Sequence, residues 1–135
     1  MTPDALRGIL RDARAVAVVG LSPKRERPSN SVARYLQEVG YRVIPVNPGH
    51  DEILGERSYP SLPAAARDHT IDIVDVFRRS EAAGAVVDEA IPLRPKLIIL
   101  QLGVVDDAAG RRAEAAGVPF LMNRCLAIEH RALEV

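Results

Sequence analysis

Residues 15–31 have the sequence AVAVVGLSPKRERPSNS, and the rest of the chain is organised around them. Five small or β-branched apolar residues, Ala15 to Val19, predict a buried strand that ends at Gly20. A polar loop follows, and Ser29-Asn30-Ser31 predicts the start of a helix. A helix N-terminus that follows a strand and a glycine turn attracts phosphate, because its backbone N–H groups and its dipole face the anion. We therefore expect a nucleotide-phosphate site at this turn.

Further apolar segments alternate with helical patterns along the rest of the chain. Such alternation predicts a parallel sheet covered by helices, with right-handed crossovers. We expect a Rossmann-like three-layer α/β/α fold in a single domain, residues 1–135, with a five-stranded parallel sheet in the order 3-2-1-4-5. Pro45 cannot donate to a strand ladder, so we expect it at a strand end or with its nitrogen facing away from a partner. The expected strands are residues 15–19, 41–46, 71–77, 96–102 and 118–122.

The ends of the expected strands indicate where a ligand would bind. Gly20, Asn47, Phe77 and Gly103 each lie at or directly after the C-terminal end of an expected strand. Parallel strands bring these ends to one edge of the sheet, where open α/β sheets bind their ligands. The sequence therefore predicts a small-molecule nucleotide ligand at this edge.

Charge and composition exclude several other classes of partner. The 135 residues contain 18 Lys and Arg against 18 Asp and Glu, so no overall basic field favours nucleic acid or an acidic membrane. No apolar run approaches the roughly 20 residues of a membrane helix, and the N-terminal pattern does not resemble a secretory signal. Cys125 is the single cysteine, and no Cys/His cluster has the spacing of metal ligands. We expect a cytoplasmic protein that binds neither nucleic acid, membrane nor metal.

The phosphate loop departs from the common nucleotide motifs. Neither the dinucleotide fingerprint G-x-G-x-x-G nor the P-loop pattern is present, and Asn47-Pro48 stands where NAD enzymes usually carry an acid. The loop instead contains Lys24, Arg25 and Arg27 against one acid, Glu26. This local excess of cations favours a ligand more anionic than NAD, such as coenzyme A (CoA), which has a ribose 3′-phosphate as well as a pyrophosphate.

Four blocks of the sequence carry a resemblance to a known family. They are VAVVGLSPKRERPSNSVARYLQEVGYRVIPVNP, DIVDVFRR, LIILQLGV and NRCLAIEH. Together they resemble the small stand-alone CoA-binding proteins, which look like the N-terminal CoA-binding domain of the succinyl-CoA synthetase alpha subunit. The match does not include the phosphorylated histidine of that synthetase, so the resemblance does not imply ligase activity.

The resemblance implies that CoA or an acyl-CoA lies across four strand ends. The first end would bind the phosphates, the second would lie by the adenosine ribose, the third near the adenine and the start of the pantetheine arm, and the fourth near the pantetheine. The candidate CoA-binding residues are Gly20, Leu21, Ser22, Lys24, Arg25 and Asn30 at the first end, Val46, Asn47 and Pro48 at the second, Val76, Phe77 and Arg78 at the third, and Gln101 and Gly103 at the fourth.

No pattern in the sequence favours a catalytic site. Cys125 and His130 are five residues apart, but a lone cysteine behind a strand is usually a small buried apolar residue. Asp75, near the ligand edge, is expected to accept a hydrogen bond from the ligand or from Arg78. We expect the chain to bind CoA or acyl-CoA without catalysis of its own, as a carrier, sensor or partner subunit of an unidentified protein. The alternatives are a subunit of an acyl-CoA ligase or transferase that acts with a separate chain, and an NAD(H)-binding redox sensor.

Overall fold

The computed structural model describes residues 1–135, in which parallel strands are flanked by helices on both faces. None of the six helices has the length and apolar character that a membrane crossing requires. The helices are α1 (Pro3–Asp12), α2 (Pro28–Glu38), α3 (Leu62–Asp68), α4 (Ser80–Ala90), α5 (Asp107–Ala115) and α6 (Leu126–Leu133). The strands are β1 (Ala15–Val19), β2 (Arg42–Val46), β3 (Glu52–Ile53), β4 (Glu56–Arg57), β5 (Ile73–Val76), β6 (Leu97–Leu100) and β7 (Phe120–Leu121).

The main sheet has five parallel strands in the order β2-β1-β5-β6-β7, and β3 and β4 form a separate antiparallel hairpin. This arrangement confirms the Rossmann-like α/β fold. Counted over the parallel strands alone, the order is 2-1-3-4-5, so it differs from the expected 3-2-1-4-5 in the place of the third strand. That strand, β5, pairs with β1 instead of lying outside β2.

The outer edge of β2 is already occupied by its own connection. The backbone N–H of Tyr59 donates to the carbonyl of Pro45, and the N–H of Asn47 donates to the carbonyl of Tyr59. Pro45 therefore has its nitrogen at this outer edge, where no strand of the main sheet requires a donor, as expected for a proline in a strand. The chain direction across the sheet reverses between β1 and β5, which places the switch point between these two strands.

Each face of the sheet packs against its own layer of helices. Alternate residues of β1 and β6, such as Val18 and Ile99, lie in one apolar cluster with residues of α1, α2 and α6. Their neighbours, such as Val19 and Leu100, lie in a second cluster with residues of α3, α4 and α5. Burial on both faces explains why these strands are nearly continuous apolar runs.

Candidate functional site

A cavity of about 860 Å³ lies at the carboxyl edge of the sheet, where the chain direction reverses. Its wall is formed by the segments that follow β1, β2, β5 and β6. Eight of the predicted binding residues lie in this wall: Gly20, Ser22, Lys24, Asn47, Phe77, Arg78, Gln101 and Gly103. The structure thus brings together residues from all four predicted strand ends.

The shape of the cavity depends on a glycine directly after β1. Gly20 has a φ of +88°, and a Cβ at this position would lie 2.2 Å from the carbonyl oxygen of Phe77. Only glycine allows both this left-handed conformation and the close approach of the two strand ends. The β1 loop can therefore turn directly over the end of β5.

Three side chains fix the loop after β1. The Ser22 N–H donates to Ser29 Oγ at 3.0 Å, and the Lys24 N–H donates to Ser22 Oγ at 3.1 Å. Asn30 Nδ2 donates to the Ser22 carbonyl at 2.9 Å. Asn30 is 2% exposed and does not line the cavity, so it contacts the loop from the protein interior. These bonds hold the loop in place before any ligand binds.

Asn47 connects the loops that follow β1 and β2. Its Nδ2 donates to the carbonyl of Leu21 at 2.9 Å, and its Oδ1 accepts from the N–H of Gly49 at 2.9 Å. The Asn47 carbonyl also accepts from Ser58 Oγ at 3.1 Å. An aspartate here would replace the amide donor with an acceptor opposite the Leu21 carbonyl, which accounts for an amide at this position.

The cavity wall carries positive charge and no carboxylate. Lys24 and Arg27 come from the loop after β1, Arg78 and Arg79 come from the segment after β5, and no Asp or Glu lines the cavity. Arg79 has an exposed carboxylate partner, Glu81, at 3.4 Å, whereas the other three cations form no ion pair. Because the whole chain is neutral, this concentration of cations marks an anion-binding surface.

Two helices begin at the cavity without a side-chain cap. The N-caps of α2 and α4 are Arg27 and Arg79, and neither side chain accepts a bond from the first turn. In contrast, α1, α3 and α5 are each capped by the side chain of their own N-cap residue. Ser80, the first residue of α4, does not cap the helix, because its Oγ accepts from the N–H of Val105. In the first turn of α2, Pro28 has no N–H and the Asn30 N–H donates to the Arg27 carbonyl, so only the Ser29 N–H stays unpaired. The first turn of α4 keeps the N–H groups of Ser80 and Glu81 for an anion.

The segment after β6 forms the less charged part of the wall. Gln101 is 8% exposed, and its Oε1 has no hydrogen-bond partner. Leu102 and Val104 follow it in the wall. The Gly103 N–H donates to Asn123 Oδ1 at 2.8 Å, which fixes the turn. This end of the cavity offers amide and apolar groups.

The other six predicted binding residues do not line the cavity. Leu21, Val46 and Val76 are buried in the core, Asn30 lies beneath the loop, and Pro48 and Arg25 are exposed outside the wall. Other residues that follow the same strand ends were not in the predicted set, although their position in the sequence could have indicated them. The wall residues outside the predicted set are Pro23, Arg27, Pro28, Ser29, His50, Arg79, Leu102 and Val104.

Cys125 and His130 have separate environments. His130 is 7% exposed, and its Nδ1 lies 2.8 Å from the Tyr35 hydroxyl of α2. Burial lowers the pKa of His130. Cys125 is a free buried thiol at the start of α6, and it does not line the cavity. His130 therefore serves as a packing and hydrogen-bonding group between helices.

Asp75 differs from its expected role. It is fully buried, neither carboxyl oxygen has a hydrogen-bond partner, and it does not bond to Arg78. Its register places it between Val18 of β1 and Ile99 of β6, on the face covered by α1, α2 and α6. Burial raises the pKa of Asp75 to about 8. The carboxyl group is directed into the protein and not toward the edge of the sheet.

Comparison with known proteins assigns the chain to a family. Residues 14–131 match the family model described as a CoA binding domain. The chain belongs to this family. The uncharacterized protein YneT of Bacillus subtilis is 37% identical over 125 residues, which cover 93% of this chain and 91% of YneT.

Two solved structures have the same fold at similar identity. The cell-free ID.343 protein of Thermus thermophilus is 39% identical, with a TM-score of 0.90 over 98% of this chain and 99% of that chain. A hypothetical protein from Pyrococcus horikoshii is 36% identical, with a TM-score of 0.91 over 100% of this chain and 94% of that chain. The more specific likeness to the succinyl-CoA synthetase alpha subunit stays a prediction.

Proposed function

We propose that the cavity binds CoA or an acyl-CoA and that this chain does not transform the ligand on its own. The observation that carries the proposal is the cavity wall with four Lys and Arg side chains and no carboxylate, in a chain of zero net charge. Membership of the CoA binding domain family supports the same ligand.

The arrangement of the cations suits the phosphates of CoA. Lys24 and Arg27 belong to the loop that leads into α2, and Arg78 and Arg79 belong to the segment that leads into α4. CoA carries two separate anionic groups, the pyrophosphate and the ribose 3′-phosphate. Each charge-assisted bond to such a group contributes roughly 1.5–3 kcal/mol. NAD lacks the second group and would leave one set of cations unmatched.

The end of the cavity beside β6 suits the pantetheine arm. Gln101 offers an amide, and Leu102 and Val104 offer apolar surface. The pantetheine arm combines amide groups with methyl and methylene groups, so it matches this part of the wall. The cavity therefore has a cationic region for the nucleotide and a neutral region for the arm.

The cellular role that we propose is that of a carrier, a sensor or a partner subunit for a separate protein chain. In this role, any reaction of the ligand takes place on that partner. The cytoplasmic location expected from the sequence stays a prediction, as does the acyl group.

Calorimetric titration with CoA, acetyl-CoA, ADP and NADH tests the proposal. We expect CoA and acetyl-CoA to bind more tightly than ADP or NADH. Lys24→Glu and Arg27→Glu should each weaken CoA binding by about tenfold or more, because each places an anion in the phosphate region. Arg25→Glu is the matched control, since it makes the same charge change in the same loop but outside the cavity wall.

Three outcomes would contradict the proposal. Tight binding of NADH, together with no binding of CoA, would favour the alternative of an NAD(H)-binding redox sensor. Equal losses for Arg25→Glu and Lys24→Glu would show a diffuse charge effect instead of a phosphate site. Turnover of acetyl-CoA by the chain alone would contradict the absence of catalysis.

A further inference from the structure

Three buried polar atoms of the side chains have no hydrogen-bond partner. They are Oδ1 and Oδ2 of Asp75 and Oε1 of Gln101. Buried polar atoms are nearly always paired, since each unpaired one loses its hydration without compensation. All three atoms are acceptors if Asp75 is ionised, so none of them could then satisfy another.

The two residues are diagonal neighbours on one face of the sheet. Asp75 pairs in register with Ile99, and Gln101 lies two residues beyond Ile99 along the same strand direction. The backbone N–H of Gln101 donates to Val76, which extends the ladder by one step. Side chains two residues apart share a face, and diagonal neighbours are within reach of a long side chain. A single proton on Asp75 would therefore supply the donor that Gln101 Oε1 lacks.

The other end of the Gln101 amide faces the cavity. Gln101 lines the cavity wall, and its Nε2 is not one of the three buried atoms that lack a hydrogen-bond partner. With Oε1 directed into the protein, Nε2 is the group that a ligand would meet. An amide nitrogen donates, so its complement on a ligand is a carbonyl oxygen.

No charged group of the covering helices competes for Asp75. Burial is the cause of its raised pKa, and no neighbouring charge contributes. Arg34 bonds to Asn30, Tyr35 to His130, Arg124 to Glu129, and Arg7 to Asp4. The titratable groups of α1, α2 and α6, the helices over this face, are Asp4, Arg7, Arg11, Asp12, Arg34, Tyr35, Glu38, Glu129, His130 and Arg131, and Arg124 and Cys125 directly precede α6.

We propose that Asp75 and Gln101 act as a proton-linked recognition pair. The protonated Asp75 carboxyl donates to Gln101 Oε1 and thereby presents Gln101 Nε2 to a carbonyl oxygen of the ligand's arm, an amide or a thioester. When Asp75 loses its proton, the carboxylate accepts from Nε2, the amide group turns over, and Oε1 faces the cavity. Two acceptors then oppose each other and the arm binds less tightly. Asp75 is a positioning residue, and Gln101 is the residue that touches the ligand. This inference rests on the proposed binding of CoA.

The test compares two probes over a range of pH. S-methyl-CoA carries the full arm but has no thiol that could ionise, and adenosine 3′,5′-bisphosphate carries phosphates without the arm. We expect the affinity for S-methyl-CoA, divided by the affinity for the bisphosphate, to fall about fivefold between about pH 7 and about pH 9 for the wild type. Asp75→Asn keeps a donor toward Gln101 at every pH, so its ratio should stay constant. Gln101→Leu should lower the ratio about tenfold at about pH 7 and abolish its pH dependence.

Each outcome decides the proposal. A constant wild-type ratio, with both probes bound, would overturn the pair while leaving the proposed function intact. Binding of neither probe would overturn both. If Asp75→Asn does not fold, Gln101→Leu decides, because a pH-dependent ratio that persists without the amide cannot come from this pair. The carboxyl ¹³C shift of Asp75 provides a direct check, since an ionised Asp75 at about pH 6 would also contradict the proposal.

Discussion

Gly20 and Phe77 approach each other so closely that a Cβ on Gly20 would lie 2.2 Å from the carbonyl oxygen of Phe77. This contact joins the ends of β1 and β5, the two strands between which the cavity opens. Gly40 also has a positive φ, of +101°, but nothing lies within 4 Å of the position of its missing Cβ. The two glycines thus separate the effect of close approach from the effect of backbone conformation.

We expect Gly20→Ala to destabilise the fold by about 3 kcal/mol, because backbone atoms must move in addition to the strain of a positive φ. Gly40→Ala should cost about 1 kcal/mol, from conformation alone. Urea denaturation of both variants measures the difference. Equal losses of stability would show that the β1 and β5 ends can separate without cost.

The sequence predicted the strand ends well because local patterns determine them. An apolar run followed by Gly20 or by Asn47-Pro48 ends a strand, and parallel strands share one edge. The place of β5 beside β1 could not be predicted in this way, since it depends on pairing between distant segments. The connection after β2, through Tyr59, occupies the edge that the expected order had assigned to the third strand.

The orientation of individual loop side chains also could not be predicted from the sequence. Arg25 and Arg27 are two residues apart in a segment without regular periodicity, so no rule assigns either to the cavity. The structure places Arg27 in the wall and leaves Arg25 outside, where its carbonyl accepts a bond from Arg34. The lack of any partner for Asp75 required the packed structure.

Replacement of Asp75 should change how stability depends on pH. Its pKa is about 8 in the folded protein against the ordinary 3.8 of an aspartate carboxyl, so between these values the folded state holds a proton that the unfolded state has lost. Stability therefore decreases as pH rises through this window, by up to about 1.4 kcal/mol per unit. Asp75→Asn removes this slope. Thermal or urea unfolding of both proteins at several pH values gives the comparison.

The control for Asp75 is Glu38→Gln, a change of the same kind at an exposed position on α2. It should leave the slope of the wild-type curve unchanged. The slope of stability against pH decides the test. A constant difference in stability between the wild type and Asp75→Asn does not. Parallel curves for these two proteins would mean that Asp75 is ionised in the folded state at neutral pH.

His130 should produce the opposite dependence at acidic pH. Burial lowers its pKa from the ordinary 6.5, so the unfolded imidazole takes up a proton at a pH where the folded one has not. Stability is therefore lost as pH falls below about 6.5, the ordinary histidine value. His130→Gln cannot titrate and should show a weaker loss as the pH falls below about 6.5. His50→Gln, at an exposed position, is the control and should follow the wild type.

Asn47 provides a test of how far the loops are organised before the ligand arrives. Asn47→Ala removes the bonds to Leu21 and Gly49, each 2.9 Å long, without adding charge. We expect a loss of about 1–2 kcal/mol in the free energy of unfolding, and weaker CoA binding because the β1 loop must be ordered on binding. Asn47→Asp retains the acceptor for Gly49 but adds a negative charge to the cavity wall, so its effect on CoA affinity should exceed that of Asn47→Ala. Calorimetry at low and high salt separates the two effects, since charge repulsion is screened and loop ordering is not. A larger loss for Asn47→Ala than for Asn47→Asp at low salt would show that Asn47 lies away from the bound phosphates.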